Sequence, residues 1–437
     1  MAYSEVEKLE GEAGDFTVTV RRKARFIDES KCTGCGSCAE KCPTLVADAF
    51  NEGLAERKAI YKYFAQGIPS VYTIDANYCR QLTGKKCGVC KKVCQAGAVD
   101  FEQQDRMVEF KVGAVIAAVG YDVFDPSVIP EYGYGRIANV VTAIEFERLL
   151  SASGPTGGHL DRPSDRAVEE QIKTLKKDIT KSARMLERME EKFGESSSEF
   201  NKKARESASE LDGEHKEWLE RYEAHQGMEA RLHELEEKAS TFSVAKRLAF
   251  IQCVGSRDFR FNPFCSGYCC MHSVKEAIIA KEHGPETQSF IFGMDIRAVG
   301  KGFEEYKVRG GQNSGIDYIR GRVAEITDGP GANPVVWYED TRERQVKSLE
   351  VDLVILATAC VPTKGIEKLA QILGVDLDDY KFIKTAPLHP LDTTRRGIFV
   401  CGCAQAPMDI PESVAQASSA AARAAELVRT IEEKQAA

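Results

Sequence analysis

The sequence predicts an α/β protein that carries a small cysteine-rich module near its N-terminus and a helical hairpin in its middle. Short apolar runs, each the length of a buried strand, alternate with helical patterns from residue 112 onward. A duplicated cysteine motif lies within residues 32–94. A heptad pattern of apolar residues interrupts the α/β part. The chain therefore divides into four predicted parts, at residues 1–110, 111–166, 167–243 and 244–437.

Length and composition exclude several classes of protein. The chain has 437 residues, enough for two or three domains, and its formal net charge of -8 argues against a general nucleic-acid binder. No long apolar run occurs, and the N-terminus lacks the basic and apolar regions of a secretory signal. A soluble cytoplasmic protein without a membrane span is expected. Fifteen cysteines in such a protein indicate metal or redox chemistry rather than disulfide cross-links.

The duplicated motif has the spacing of an iron–sulfur protein. Its first half reads C-x2-C-x2-C-x3-C-P and its second half reads C-x7-C-x2-C-x3-C. The flanks repeat as well, because Ile27-Asp28 precedes the first set by the same offset at which Ile74-Asp75 precedes the second. In such a run the fourth cysteine binds the cluster of the other half. One predicted [4Fe-4S] cluster therefore takes Cys32, Cys35, Cys38 and Cys94, and the other takes Cys79, Cys87, Cys90 and Cys42.

Zinc and disulfides both suit these cysteines less well than iron–sulfur clusters do. Zinc sites with four cysteines normally show paired C-x2-C knuckles without a third close cysteine and a following proline. Disulfides are not expected in a chain without a secretory segment. A ferredoxin domain with two [4Fe-4S] clusters is therefore predicted. The widened gap from Arg80 to Lys86 makes Cys79 its least typical ligand.

The remaining predicted elements are those of a mainly parallel sheet with a β-meander. A strand is predicted within residues 14–30, and a helix is predicted at Glu56–Phe64. Two apolar runs, Val112–Gly120 and Val351–Ala359, end in small residues and are predicted to enter one sheet. Further strands are predicted at Arg247–Gly255, Gln288–Phe292, Val323–Thr327, Val335–Tyr338 and Gly397–Gly402, and further helices at Val274–His283 and Val414–Glu432.

Residues 167–243 predict an antiparallel coiled-coil hairpin that projects from the sheet domain. Apolar positions alternate in steps of four and three along both arms, which is typical of a coiled-coil seam. The segment Gly194–Ser198 is predicted to end the first helix, and most other residues of the hairpin are charged. The aromatic residues of the second arm, among them Trp218 and Tyr222, and the nearby His215 are interpreted as packing residues of the seam rather than as a cofactor site.

A third cysteine set follows the hairpin in the pattern C-x11-C-x3-CC. Its members are Cys253, Cys265, Cys269 and Cys270. The CC pair is unusual for zinc, and no disulfide scaffold is expected here. On spacing alone, a metal cluster and a chance grouping of buried cysteines both remain open.

Several stretches resemble the A subunit of heterodisulfide reductase. They are Asn51–Ile60, Ser151–Gly158, Cys253–Arg257, Tyr268–Met271, Met294–Arg297, Gly397–Gln405 and Asp409–Pro411. The resemblance covers nearly the whole chain apart from the hairpin. It implies a thioredoxin-reductase-like sheet domain of the FAD/NAD(P) type with an inserted ferredoxin domain. It also implies that the third cysteine set binds a third [4Fe-4S] cluster.

The resemblance further implies FAD, although one part of the family's flavin site is missing from the sequence. Family members place the FAD pyrophosphate on a glycine-rich G-x-G-x-x-G loop at a helix N-terminus, and no such loop occurs here. The chain is therefore expected to be the latter part of a split or truncated subunit, with an incomplete flavin domain and a partner that carries the glycine-rich half. The remaining candidate FAD-binding residues are Gly402, Gln405, Ile410 and Pro411.

Three cysteines outside the predicted ligand sets are interpreted as packing residues. Cys401 and Cys403 form a C-x-C on a predicted strand, a geometry that is awkward for a disulfide. Cys360 is expected in the core.

These observations predict an oxidoreductase subunit that relays electrons between FAD and [4Fe-4S] clusters. The expected partners are further iron–sulfur subunits, and flavin-based electron bifurcation is the reaction that the resemblance implies. No catalytic acid or base is predicted, since the electron steps are outer-sphere. The alternative is a flavin-free scaffold that carries clusters and docks through the hairpin. A zinc-bearing structural adaptor is a third class, which the cluster spacing disfavours.

Overall fold

The computed structural model describes residues 2–193, 213–242 and 244–436. Its strands are β1 (Ser4–Glu12), β2 (Asp15–Arg22), β3 (Leu45–Ala47), β4 (Glu56–Lys58), β5 (Ile60–Tyr61), β6 (Thr73–Ile74), β7 (Arg106–Val112), β8 (Val115–Ala117), β9 (Tyr121–Val123), β10 (Val140–Thr142), β11 (Arg247–Val254), β12 (Gln288–Gly293), β13 (Asp317–Asp328), β14 (Pro334–Asp340), β15 (Gln345–Glu350), β16 (Leu353–Thr358), β17 (Cys360–Pro362), β18 (Thr385–Ala386), β19 (His389–Thr393) and β20 (Ile398–Val400). Its helices are α1 (Ser37–Glu40), α2 (Val89–Val93), α3 (Ala143–Leu150), α4 (Pro163–Phe193), α5 (Gly213–Ala239), α6 (Cys269–His283), α7 (Phe303–Ser314), α8 (Ile366–Leu373) and α9 (Ile410–Ala436). The protein is α/β, as predicted.

The main sheet has seven strands in the order β10-β16-β11-β12-β13-β14-β15. The first five are parallel to their neighbours, and β13, β14 and β15 form the predicted antiparallel meander. Helices α3 and α6 cover one face, where Phe146 and Val274 pack against Phe250 and Ile355. Both faces of β11 and β16 are buried, which explains their continuous apolar sequences.

A second, smaller sheet has the order β18-β19-β20-β8. Strand β8 pairs in parallel with β20, whereas β16 belongs to the seven-stranded sheet. The prediction that the apolar runs at 112–120 and 351–359 enter one sheet is therefore wrong. The first run is broken at Gly113, where an added Cβ would lie 2.7 Å from the Val428 side chain of α9. At this close approach to α9 strand β7 ends, and β8 then pairs with β20 of the smaller sheet.

The N-terminal part begins with an antiparallel sheet of β1, β2 and β7. Strand β2 confirms the predicted strand only as far as Arg22, and the cysteine-rich module then lies between β2 and β7. The predicted helix at Glu56–Phe64 is wrong, because this segment contains β4 and β5. Ile60 pairs with Ile74 across β5 and β6, and both side chains are buried in the core of the module. This tertiary packing overrides the local helical tendency.

Helices α4 and α5 pack side by side in opposite directions. Lys192 pairs with Glu214 at 2.6 Å near one end, and Lys176 pairs with Glu236 at 2.7 Å near the other. Trp218 is fully buried between the helices, packs with Leu186, and stacks on Tyr222. The predicted break at Gly194–Ser198 lies outside the described residues. That this pair of helices is a separable coiled-coil insertion remains a prediction.

A membrane-spanning helix requires a long apolar stretch. None of the helices in the described parts of the chain is both long enough and apolar enough to cross a bilayer.

Candidate metal centres

The second half of the duplicated motif converges on one cavity. Cys79, Cys87 and Cys90 line it together with Cys42, which comes from the first half of the motif. This grouping is compatible with the predicted crossed ligation, and the ligation itself remains a prediction. Burial raises the pKa of Cys90 to about 11, and the neighbouring thiols of Cys79 and Cys42 act in the same direction.

The first half repeats the same local geometry. Gly36 and Gly88 both adopt a positive φ, 91° and 99°, immediately before α1 and α2. In this conformation the chain turns tightly between the two cysteines of each C-x2-C pair, and a side chain with a Cβ would be strained there. Burial raises the pKa of Cys38 to about 11, and the thiols of Cys32 and Cys35 act in the same direction.

Cys94 is partly buried against the core of the module, and its sulfur accepts a hydrogen bond from the Ala98 amide at 3.4 Å. Cys38 is buried in the same core, and Cys32 and Cys42 pack against it. The assignment of Cys94 to the first cluster remains a prediction.

The spacing of the sulfur atoms bears on which metal group they suit. Tetrahedral zinc at a Zn–S distance of about 2.3 Å places its sulfur ligands roughly 3.8 Å apart. Within the described residues, the one group of three or more ligand atoms that lie within 4.8 Å of one another contains no cysteine. The cysteine sets are therefore too open for one zinc ion and fit a larger metal group. Burial disfavours free thiolates here, so a bound cation is needed to hold several of them deprotonated.

The third cysteine set is assembled from β11, a loop and α6. Cys253 near the end of β11 has a positive φ of 61°, at a point where the pairing register with β16 shifts. A non-glycine residue in this conformation is costly and is found mainly at functional sites. Cys269 and Cys270 open α6. The strand end and the helix start are therefore held together around these thiols.

The effects of the four thiols of this set on one another's pKa indicate that they lie close together. Burial raises the pKa of Cys269 to about 12, and Cys270, Cys253 and Cys265 act in the same direction. Arg257 hydrogen-bonds to Cys253 and forms an ion pair with Asp295 at 2.5 Å. A positive charge beside four thiols stabilises the thiolate form that metal ligation requires.

A buried acidic group next to this set is not predicted by the sequence analysis. The ligand atoms of Glu147, His272 and Glu276 lie within 4.8 Å of one another. Glu276 has no exposed side-chain surface, and burial raises its pKa to about 8. The pKa of Glu147 is lowered to about 2 by hydrogen bonds from His272 and Lys275. Such a group can hold a proton or a divalent cation. The His272-x3-Glu276 spacing on a helix is the signal that could have revealed it.

The four candidate flavin residues lie at and just before the start of α9. The Gly402 amide donates to Gln416 at 3.0 Å, and Gln416 donates to Gln405 at 3.3 Å. Ile410 is 80% exposed, and Pro411 is exposed beside it. A helix N-terminus suits a phosphate, but the Gly402 amide is already hydrogen-bonded to Gln416, and Ile410 and Pro411 are exposed to solvent. They do not enclose FAD, and their role remains a prediction.

The three cysteines outside the ligand sets do not all behave as the sequence suggests. Cys401 and Cys360 are buried, as expected for packing residues. Cys403 is partly exposed, and its side chain hydrogen-bonds to that of Cys360 rather than to Cys401. Two residues that are far apart in the sequence therefore form a thiol pair.

Comparisons with known proteins identify relatives of the chain. A model of the 4Fe-4S binding domain matches residues 25–46, which include the first four cysteines. The second iron–sulfur A subunit of the CoB--CoM heterodisulfide reductase of Methanopyrus kandleri is 42% identical over 97% of this chain and 53% of its own length. The A subunit of the Ferredoxin:CoB-CoM heterodisulfide reductase of Methanosarcina acetivorans is 38% identical over 96% of this chain and 46% of its own length.

The chain spans about half the length of these relatives. A Lactococcus lactis thioredoxin reductase aligns over 85% of this chain and 86% of its own, with 12% identity and a TM-score of 0.37, a likeness too weak to bear on the fold. The sequence similarity, in contrast, extends over nearly every residue of the chain. The chain belongs to the family of heterodisulfide reductase A subunits.

Proposed function

We propose that this chain is an electron-transfer subunit of a heterodisulfide reductase-like complex, in which three [4Fe-4S] clusters relay electrons to or from FAD. The observation that carries the proposal is the cavity that Cys42 shares with Cys79, Cys87 and Cys90. A cysteine from one half of the motif thus meets three from the other half, as in a two-cluster ferredoxin.

The proposed ligands are the twelve cysteines of the three sets. The first set is Cys32, Cys35, Cys38 and Cys94, the second is Cys42, Cys79, Cys87 and Cys90, and the third is Cys253, Cys265, Cys269 and Cys270. Iron–sulfur clusters supply one-electron chemistry, and the protein tunes their potentials through burial and hydrogen bonds to sulfur. Arg257 beside Cys253 and the Ala98 amide beside Cys94 are contacts of this kind.

The complex and the flavin belong to the same proposal. The similar proteins are named as subunits of reductases that act on the CoB–CoM heterodisulfide. We expect this chain to join further iron–sulfur subunits in a related complex. Because Gly402, Gln405, Ile410 and Pro411 form only an open face, we expect a further polypeptide segment with a glycine-rich loop to complete the FAD site. Electron bifurcation at this flavin is the reaction that we propose.

The second candidate is a scaffold that carries clusters without FAD. The candidate flavin residues before α9 favour this function, because Gly402 and Gln405 are already hydrogen-bonded to Gln416. In that case the α4–α5 pair, with its charged and exposed surfaces, serves as a docking arm.

Absorption spectra and metal analysis of anaerobically purified protein distinguish these functions. The relay function predicts a broad cluster shoulder in this chain and additional flavin peaks in the native complex. The scaffold predicts the shoulder alone in both samples, and zinc without either signal would refute both functions. Cys42→Ser should remove about four irons per chain, whereas Cys401→Ser at a buried position outside the three sets should remove none. Equal iron in the Cys42→Ser variant and the wild type would contradict the crossed ligation.

A further inference from the structure

Helices α3 and α6 bring two carboxylates and an imidazole together outside the three cysteine sets. Glu147 lies on α3, and His272 and Glu276 lie one turn apart on α6. Their ligand atoms all lie within 4.8 Å of one another. His272 Nε2 is 3.6 Å from Glu147 Oε2 and 3.3 Å from Glu276 Oε1. The three side chains therefore converge on one point.

Glu276 is the residue that indicates a missing ligand at this point. Its side chain has no exposed surface, and neither carboxylate oxygen has a hydrogen-bond partner in the parts of the chain that the structure describes. The imidazole of His272 faces Oε1 without hydrogen-bonding to it. A buried carboxylate in this situation is costly, and proteins compensate buried charges by pairing them or by coordinating a metal.

The distances suit the coordination shell of a transition metal. Nitrogen and oxygen ligands lie about 2.1 Å from such an ion, so they are roughly 3.4 Å apart in a tetrahedron and about 3.0 Å apart in an octahedron. The contacts of 3.6 Å and 3.3 Å at His272 need little adjustment to reach these values. Two carboxylates also balance the charge of a divalent ion while the imidazole stays neutral, so the occupied site carries no net charge.

The fold holds the ligands in place and leaves one side of the group accessible. Phe146 and Val274 anchor α3 and α6 in the core against the main sheet. The exposed fraction of the side chain rises from 0% at Glu276 to 24% at His272 and 36% at Glu147. An ion therefore enters from the side of Glu147, and its remaining coordination position faces solvent there.

Lys275 competes with an ion for Glu147. Its ammonium group forms an ion pair with Glu147 Oε2, the same oxygen that faces His272. The Lys275 side chain is 34% exposed, and its flexible stem allows the charge to move into solvent. Binding of an ion therefore displaces Lys275, and the lysine weakens that binding.

We propose that Glu147, His272 and Glu276 bind one divalent first-row transition-metal ion, such as Zn²⁺, Fe²⁺ or Mn²⁺. Imidazole favours these ions over Mg²⁺ and Ca²⁺, which take oxygen ligands. On binding, the Lys275 ammonium leaves Glu147, and any proton on the ligand atoms passes to solvent. The site depends neither on FAD nor on the cysteines of the third set, so it succeeds or fails independently of the proposed relay.

The test uses the full chain, purified anaerobically, treated with EDTA and kept oxidised so that its clusters are EPR-silent. Mn²⁺ is the probe, because it prefers oxygen ligands to thiolates and binding removes the EPR signal of the free ion. The wild type should bind one Mn²⁺ per chain. Glu276→Gln should weaken binding at least about tenfold, since loss of even an outer-shell contact has an effect of this size.

Two further variants separate a metal site from a merely structural cluster. Lys275→Met should bind Mn²⁺ several-fold more tightly than the wild type, because the competing ammonium is gone. The matched control Glu282→Gln, at an exposed position on the same helix, should bind like the wild type. The iron content should be the same in all four proteins, which distinguishes loss of this site from loss of the third cluster.

The wild type also provides a readout that no variant has to survive. Electron spin echo modulation of the bound Mn²⁺ should show coupling to an imidazole nitrogen, which His272→Gln should remove, and an excess of Mg²⁺ should not displace the ion. Absence of a saturable site, equal affinity in Glu276→Gln and the wild type, or bound Mn²⁺ without nitrogen coupling would each overturn the proposal.

Discussion

Replacing Glu276 with glutamine tests how strongly the buried acidic group depends on pH. Glu276 is fully buried on α6, 3.3 Å from His272, and neither carboxylate oxygen has a hydrogen-bond partner among the described residues. Burial raises its pKa to about 8 from an ordinary value of 4.5. The folded protein therefore retains a proton that the unfolded chain has lost across this pH range.

The sign and size of the effect follow from that difference. A raised folded pKa gives stability that is complete below pH 4.5 and is lost as the pH rises through about 8. Each pKa unit corresponds to about 1.36 kcal/mol, so the total loss is at most roughly 5 kcal/mol. Between about pH 5.5 and 8 the wild type should lose on the order of 3 kcal/mol relative to the Glu276→Gln variant, whose amide does not ionise.

The assay is anaerobic thermal unfolding of both proteins over this pH range, with the difference between their midpoints as the readout. His272 titrates in both proteins. Burial lowers its pKa, but the carboxylates of Glu276 and Glu147 raise it more, so part of its own pH dependence also changes in the variant. The control is Glu282→Gln, an exposed position near the end of the same helix, for which the midpoint difference should not change with pH.

One outcome would refute this reasoning. If the wild type and the Glu276→Gln variant keep a constant midpoint difference from acid to neutral pH, Glu276 does not carry a raised pKa. The group would then have to be ionised and hydrated in the folded protein.

Three further predictions concern the clusters, the helical pair and the flavin. The chain should hold about twelve irons, and Cys269→Ser or Cys270→Ser should remove about a third of them. Unchanged iron content in both variants would refute the assignment of a third cluster. Replacing residues 167–243 with a short Gly/Ser bridge should preserve the iron content, measured against the full chain. Loss of iron would show that α4 and α5 are part of the core fold. The 437-residue chain should be purified with little FAD and the native complex with stoichiometric FAD; tight stoichiometric FAD in the chain alone would contradict the open face at α9.

The sequence predicts best where chemistry is encoded locally. The C-x2-C-x3-C spacing and the turn glycines Gly36 and Gly88 determine how the thiols of the module are grouped, so their grouping is readable from the chain. The buried strands β11 and β16 can also be predicted from the sequence, because strands covered on both faces need continuous apolar runs.

The sequence predicts less where distant segments decide the outcome. The segment 56–64 has a helical tendency, but pairing of Ile60 with Ile74 turns it into strand. Gly113 lies between two strands at a point where Val428 of α9 approaches closely, a contact between residues far apart in the sequence. The Cys360–Cys403 pair is invisible in the sequence, since it joins positions that meet only when β17 and the turn after β20 come together.

A common topology connects the third cysteine set to this thiol pair. Cys253 lies at the carboxyl end of β11, Cys360 follows the adjacent parallel strand β16, and Cys403 follows β20 of the smaller sheet. The Cys360 amide donates a hydrogen bond to the Ser266 hydroxyl at 2.9 Å, and the Cys269 sulfur is 3.7 Å from the Thr358 carbonyl oxygen.

Carboxyl ends of parallel strands form the crevice in which open α/β sheets bind their ligands. Side chains placed there are held by rigid strands, while the loops that follow leave room for a bound group. Because the third set and Cys360 share this edge, a change that moves β16 relative to β11 should disturb both. The ferredoxin-like module is anchored between β2 and β7 of a separate sheet, so its two cysteine sets should remain intact.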